Sequence, residues 1–108
     1  MATVPPEPPG RRANRRTRSC RRQFDALPAA VGAVAVAKFR LFLADPAHPS
    51  LHHHALTDTA GGTLRPGSFS VSINMQYRAI YTVTADGANL WYWVGTHAEY
   101  NRLTGKGS

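Results

Sequence analysis

Five residues that can move protons or bind anions fall within seven positions of one another. In the stretch WYWVGTHAEYNRL, residues 91–103, an apolar run ends at Gly95 and is followed by Thr96, His97, Glu99, Tyr100 and Arg102. Imidazole both takes and gives a proton near neutral pH. A carboxylate can act as a base, and a guanidinium matches phosphate oxygens with two parallel hydrogen bonds. Arg78 adds a second cation inside YRAIYTV, where alternation turns it away from the face shared by Tyr77 and Tyr81. Arg78 reads equally as a phosphate clamp on a rigid strand or as an arginine snorkelling at a sheet edge. The polar run after Gly95 reads as one wall of a cleft, or as a turn whose His and Tyr cap strand ends.

His52, His53 and His54 raise the question of a metal. Neighbours in an extended chain face opposite ways, so only His52 and His54 could share an ion. Two ligands with no Cys-x-x-Cys beside them are too few for a tight zinc site. A partly protonated patch facing an anion, or a plain exposed loop, accounts for them. There is no phosphate-cradling glycine loop, no G-x-S-x-G elbow and no paired-carboxylate pattern.

These residues need elements to hold them. Ser19 could cap a short helix running to Leu27, and Pro28 suits the first turn of a second. Val31, Ala35, Phe39 and Phe42 recur at helical spacing, with Val34, Leu41 and Leu43 widening the stripe. Asp45 before Pro46 ends that helix near Ala44. Strands are expected at 68–73, 77–83 and 90–94, with Asp86-Gly87 as a hairpin turn. Gly95 is expected to let the chain turn. The fold class is α+β: an N-terminal helical hairpin packed on a twisted, mainly antiparallel sheet of three to four strands.

At 108 residues the chain has room for one core. Residues 1–22 hold seven arginines against one acid, whereas residues 23–108 hold six basic and five acidic residues. The net charge of +7 is therefore a property of an arm and not of the body. Residues 1–16 are expected to be a disordered Pro/Arg-rich tail, 17–104 the single domain, and 105–108 a flexible C-terminus; the second half of residues 11–20 could form a short strand. The arm would attract RNA or acidic protein without specificity. One cysteine, Cys20, cannot make an internal disulfide, which fits a cytoplasmic location. No apolar run is long enough to span a membrane. Asp25 and Pro28 interrupt the apolar stretch after the twin arginine and argue against an export signal.

Taken in order, FDALP, LFLADPAHPSL, SFSVSINMQYRAIYTV and WYWVGTHAEYNRL resemble the RelE/ParE superfamily of toxins from toxin–antitoxin systems. The likeness covers about residues 17–104 and is closest to a RelE-like subgroup ending in a G-T-H-A-E-Y run. It implies a metal-independent endonuclease that cuts mRNA in the ribosomal A site, with a cognate antitoxin, the ribosome and mRNA as partners and no cofactor. In that chemistry the ribose 2′-OH attacks the adjacent phosphate. A base takes its proton, cations hold the phosphorane charge, and an acid protonates the 5′ oxygen. The resemblance places Arg78 on the scissile phosphate, His97 where relatives have arginine or histidine, and Tyr100 near a C-terminal tyrosine. His97 is then expected to be the acid, with Tyr100 orienting it. The base is Glu99 if its side chain turns inward, or else a group of the RNA or ribosome. Some relatives carry basic residues on the strand that here reads Ser68, Ser70 and Ser72. Here Ser70 and Ser72, with His52, His54, Arg65 and Arg102, would contact RNA. The ParE branch shares the fold, binds DNA gyrase and need not cleave RNA, and it supplies the alternative reading.

Overall fold

The computed structural model describes residues 8–56 and 64–104. After a short 3-10 turn at Pro9–Arg11, the elements are β1 (Asn14–Arg16), α1 (Arg18–Asp25), α2 (Ala29–Ala44), a second 3-10 turn at Pro49–Leu51, β2 (His54–Ala55), β3 (Ser68–Ser72), β4 (Tyr77–Val83), β5 (Asn89–Thr96) and α3 (His97–Leu103). The sheet has five strands in the order β1-β5-β4-β3-β2. Strands β2 to β5 pair antiparallel, and β1 joins β5 in parallel. The expected helical hairpin and α+β class are present, but the sheet is mixed and wider than three to four strands.

The extra strands are short segments, and the strand looked for in the second half of residues 11–20 falls earlier, at Asn14–Arg16. The boundary of the tail drawn at residue 16 falls too late, because Asn14–Arg16 is an edge strand. The Asn14 Oδ1 accepts the Trp91 indole N–H at 2.9 Å and an Asn89 amide N–H at 3.2 Å. Gly10 lets the first turn abut the end of α2: a Cβ there would lie 2.5 Å from the Leu43 carbonyl oxygen. Arg15 reaches Asp86 in the β4–β5 turn at 2.8 Å. The Asp86 carboxyl is held down at about 2, first by the Thr84 hydroxyl and then by Arg15. Residues 1–7, the outer part of the expected tail, and residues 105–108, all of the expected flexible C-terminus, lie outside the described residues.

Helix α1 is capped by Thr17 and not by Ser19. The Thr17 hydroxyl accepts the Cys20 N–H at 3.1 Å, and the helix ends at Asp25, two residues before Leu27. Pro28 is the N-cap of α2, one position before the first turn, and α2 stops at Ala44 as the Asp45-Pro46 pair requires. Of its apolar stripe only Phe42 is fully buried; Val34, Phe39 and Leu43 stay about 40% exposed.

The larger core lies between the hairpin and one sheet face. Phe42, Val71, Ile73, Tyr81, Trp91 and Val94 form it with Cys20 and Leu51. His53 belongs to it: its Nε2 meets the Tyr81 hydroxyl at 2.7 Å, and its ring stacks on Tyr81 and tilts against Phe69. Burial lowers the His53 pKa and pushes the Tyr81 hydroxyl up to about 12. A smaller cluster of Ile80, Trp93 and Tyr100 sits on the opposite face, where α3 packs.

Candidate active site on the open sheet face

The opposite face is built by cross-strand pairing. Arg78 lies opposite Ser72 on β3 and opposite Gly95 on β5, so these positions share a face. A register shift beside Ile80 and Tyr81 gives β5 one extra residue, Tyr92. This bulge lets both Tyr92 and Trp93 join the small cluster around Ile80, where strict alternation would supply one of them.

Strand β5 runs through Gly95 to Thr96, so the glycine does not make a turn. It makes room: a Cβ there would lie 2.7 Å from Trp93 Cζ2 and 3.1 Å from Glu99 Oε1. The polar run is a helix and not a turn. Thr96 and Glu99 form a reciprocal capping box at its start. Glu99 Oε1 accepts the Thr96 N–H at 3.0 Å and its hydroxyl at 2.9 Å. Those two bonds hold the Glu99 carboxyl below its ordinary range. The carboxylate expected as the base is thereby committed to the backbone.

Arg78, Tyr100 and His97 do come together. The Arg78 guanidinium carbon lies 5.1 Å from the centroid of the Tyr100 ring. The His97 ring meets Tyr100 edge-on at 5.8 Å. The His97 N–H donates to the Gln76 carbonyl at 2.7 Å, which ties α3 to the β3–β4 turn. Arg78 Nε and Nη1 are buried, and neither has a hydrogen-bond partner among the described residues. A buried donor left unsatisfied costs about 1–3 kcal/mol, so its persistence calls for a reason. A guanidinium held on a strand with donors not spent on protein partners among the described residues is what an incoming phosphate needs.

The remaining expected residues divide. Ser70 and Ser72 are buried; the Ser72 hydroxyl donates to the Asn74 carbonyl at 3.0 Å, and Ser70 Oγ has no partner among the described residues. Neither offers a surface hydroxyl to RNA. His54 is exposed opposite Ser70, with its Nδ1 2.7 Å from the His52 carbonyl oxygen. His52 is exposed and left-handed, φ 44°. Among the described residues no cluster of three or more His, Cys, Asp or Glu could hold a metal ion. Arg102 is exposed in the last turn of α3. Arg65 is exposed and lies over the Tyr92 ring, 4.8 Å from its centroid. The Tyr92 hydroxyl accepts the Arg65 N–H at 3.2 Å and meets Ser68 Oγ at 2.5 Å, and Ser68 donates to the Arg65 carbonyl at 2.6 Å. Nothing in the sequence singles out Tyr92, Ser68 and Trp93 as a group. The bulge that gathers them leaves no mark there beyond three consecutive aromatic or apolar residues.

This arrangement has counterparts among solved structures. The archaeal RelE–RelB complex of Pyrococcus horikoshii matches over 79% of this chain and 93% of its own, with a TM-score of 0.57 and 12% identity. The toxin–antitoxin complex RelBE2 of Mycobacterium tuberculosis matches over 81% and 92%, with a TM-score of 0.53 and 23% identity. A copper-bound mutant toxin of Helicobacter pylori matches over 81% and 96%, with a TM-score of 0.56 and 21% identity. The fold is that of the RelE toxins. No family model and no curated protein matches the sequence. The RelE fold thus persists here at identities of 12–23%, and the site has to be argued from its own residues. Among the described residues, no helix of this RelE-like chain is long and apolar enough to cross a membrane.

Proposed function

We propose that this chain is the toxin of a toxin–antitoxin pair and acts in the cytoplasm as a metal-independent, ribosome-dependent mRNA endonuclease of the G-T-H-A-E-Y subgroup, so inhibiting translation. The observation that carries this reading is the Arg78 guanidinium, two of its nitrogens buried without a partner among the described residues, lying over Tyr100 beside His97. Arg78 takes the scissile phosphate and the charge that grows on it as the 2′-OH attacks. The bond to the 5′ oxygen breaks, leaving a 2′,3′-cyclic phosphate and a 5′-OH. Protonated His97 gives its proton to that departing oxygen. Tyr100 touches both side chains and fixes their relation. Glu99 serves the capping box, so a group of the ribosome or the RNA takes the proton from the 2′-OH. A cognate antitoxin would cover the open face with acidic side chains and neutralise Arg78.

The engaged state of Glu99 also favours a second reading, a ParE-like toxin that inhibits DNA gyrase by binding and needs no base. One experiment separates the two. Single-turnover cleavage of ribosome-bound mRNA is measured beside gyrase supercoiling, with the parent chain, Arg78→Ala and His97→Gln. The nuclease reading expects cleavage that both substitutions abolish or slow, with gyrase unaffected. Intact mRNA with supercoiling inhibited would establish the other.

A further inference from the structure

Arg65 and Tyr92 form a second cationic platform on the open face, separate from Arg78. Arg65 is a loop residue, and an arginine on a loop is ordinarily free to move. Here it is held from three directions. Its guanidinium lies over the Tyr92 ring at 4.8 Å, its N–H is taken by the Tyr92 hydroxyl at 3.2 Å, and its carbonyl accepts the Ser68 hydroxyl at 2.6 Å. The Tyr92 ring stands where it does because the bulge in β5 adds a residue to this face. The side chain is nevertheless exposed, and no acid pairs with it among the described residues. A cation held in place and without an acidic partner among the described residues is pre-organised for an anionic ligand.

Its place in the sheet says which ligand. The platform is pinned at Ser68, one end of β3, whereas Arg78 pairs with Ser72 at the other. Four residues of strand separate them, about 13 Å at roughly 3.3 Å per residue. That exceeds the spacing of adjacent phosphates, and with the two guanidinium groups resting on different rings, Tyr92 and Tyr100, one extended nucleic-acid strand can engage both. We infer that Arg65, positioned by Tyr92 and Ser68, is a second phosphate subsite for single-stranded RNA, engaged by a phosphate beyond the neighbours of the one held at Arg78. This rests on the nuclease reading and supplies its RNA track. It also answers the missing basic residues of β3: the charge stands at the end of the strand, on a tyrosine, and not along it.

The test uses the full chain and two probes whose 2′-O-methyl groups block cleavage: a hexauridylate, which can reach both cations, and a diuridine with a single internal phosphate, which can reach one. Binding is followed across salt concentration. Arg65→Ala should weaken the hexanucleotide about tenfold, flatten its log–log salt slope by about 0.7, and leave the dinucleotide unchanged. Tyr92→Phe keeps the ring and the charge but loses the tie to Ser68 and to the Arg65 N–H. It should weaken the hexanucleotide about threefold without changing the slope, an outcome that a merely structural tie would not give, since that would lower both probes together. If Arg65→Ala leaves the hexanucleotide unaffected, or weakens both probes alike, the second subsite does not exist, and the cleavage reading stands on Arg78 alone. If the parent binds neither probe even at low salt, the second subsite fails, whereas the nuclease reading falls only if ribosome-bound mRNA is left intact.

Discussion

The sheet presents two tyrosine clusters, one on each face, and they treat their polar atoms in opposite ways. On the helix-covered face, Tyr81 and His53 satisfy each other at 2.7 Å inside a shell of Phe42, Phe69 and Trp91. On the open face, Tyr100 supports an arginine whose Nε and Nη1 are satisfied by nothing among the described residues. Both clusters place a nitrogen base against a tyrosine. Residue type therefore does not separate a structural cluster from a chemical one, and hydrogen-bond satisfaction does. A closed network rigidifies a core, whereas unsatisfied buried donors on a rigid strand are a standing cost that a bound anion or water would offset.

That contrast breaks most visibly at Arg78 and His97. Arg78→Ala should slow cleavage by about a hundredfold or more at every pH, about 3 kcal/mol in the chemical step. Its unfolding midpoint should be no lower than the parent's, because the substitution removes two buried unsatisfied donors. His97→Gln should cost on the order of 10²–10⁴-fold and should flatten the limb of the pH–rate profile on which the parent slows as the imidazole loses its proton. Full activity and an unchanged profile would make His97 a helix-start residue only. A marked loss of stability in Arg78→Ala with cleavage intact would reverse the assignment of the two faces.

Next in size is removal of the arm. A chain beginning at Thr17 loses β1 and leaves the Trp91 indole N–H without Asn14, so it should be less stable by about 2 kcal/mol or more, roughly 10 °C in melting temperature. An unchanged melting temperature would show that the parallel strand contributes nothing. On the covered face, Tyr81→Phe strands the His53 ring nitrogen and should destabilise by about 1–2 kcal/mol while cleavage stays at the parent rate.

The smallest effect is a slope. Burial lowers the His53 pKa from 6.5, so the unfolded chain binds the proton more readily than the folded one. The stability this contributes is complete above pH 6.5 and declines as pH falls below it, toward the folded value. Asp86 and Glu99 are also depressed but act only in the carboxylate range below that window. Denaturation midpoints between about pH 7 and 5 should fall for the parent and fall less for His53→Phe. Parallel curves would place the titrating group elsewhere.

Strong periodicity makes much of the fold legible from the chain alone. The strands at 68–72 and 77–83 and the end of α2 at Ala44 follow from alternation and from the Asp45-Pro46 pair. The side of β4 on which Arg78 lies follows from the same alternation. What could not be read is what depends on long-range pairing. Asn14–Arg16 has no strand pattern of its own and becomes a strand because β5 offers an edge. His53 alternates as expected, but nothing local says that Tyr81 waits for it. Glu99 carries the type and spacing of a catalytic carboxylate, and the Thr96-x-x-Glu99 box, legible as T-x-x-E, is the signal that it caps. Tyr92 requires the bulge, which is a property of the register between two strands and not of either one.

The parallel pairing of β1 also imposes an order in time. Asn14 and Trp91 are 77 positions apart, so the first strand of the sheet has no partner until nearly all of the chain has been made. At about 5–20 residues per second the interval is about 4–15 s. By its end α1, α2 and the β3–β4 hairpin have found their local partners, while the seven arginines of residues 11–22 still wait beside an unpaired β1. Joining β1 to β5 closes the longest loop in the sheet, and the entropy lost in loop closure rises with loop length, so this pairing is the slowest to become favourable. The last event of folding is thus the docking of the first strand made, and slowing β5 synthesis should lengthen the life of an unpaired, arginine-rich N-terminus.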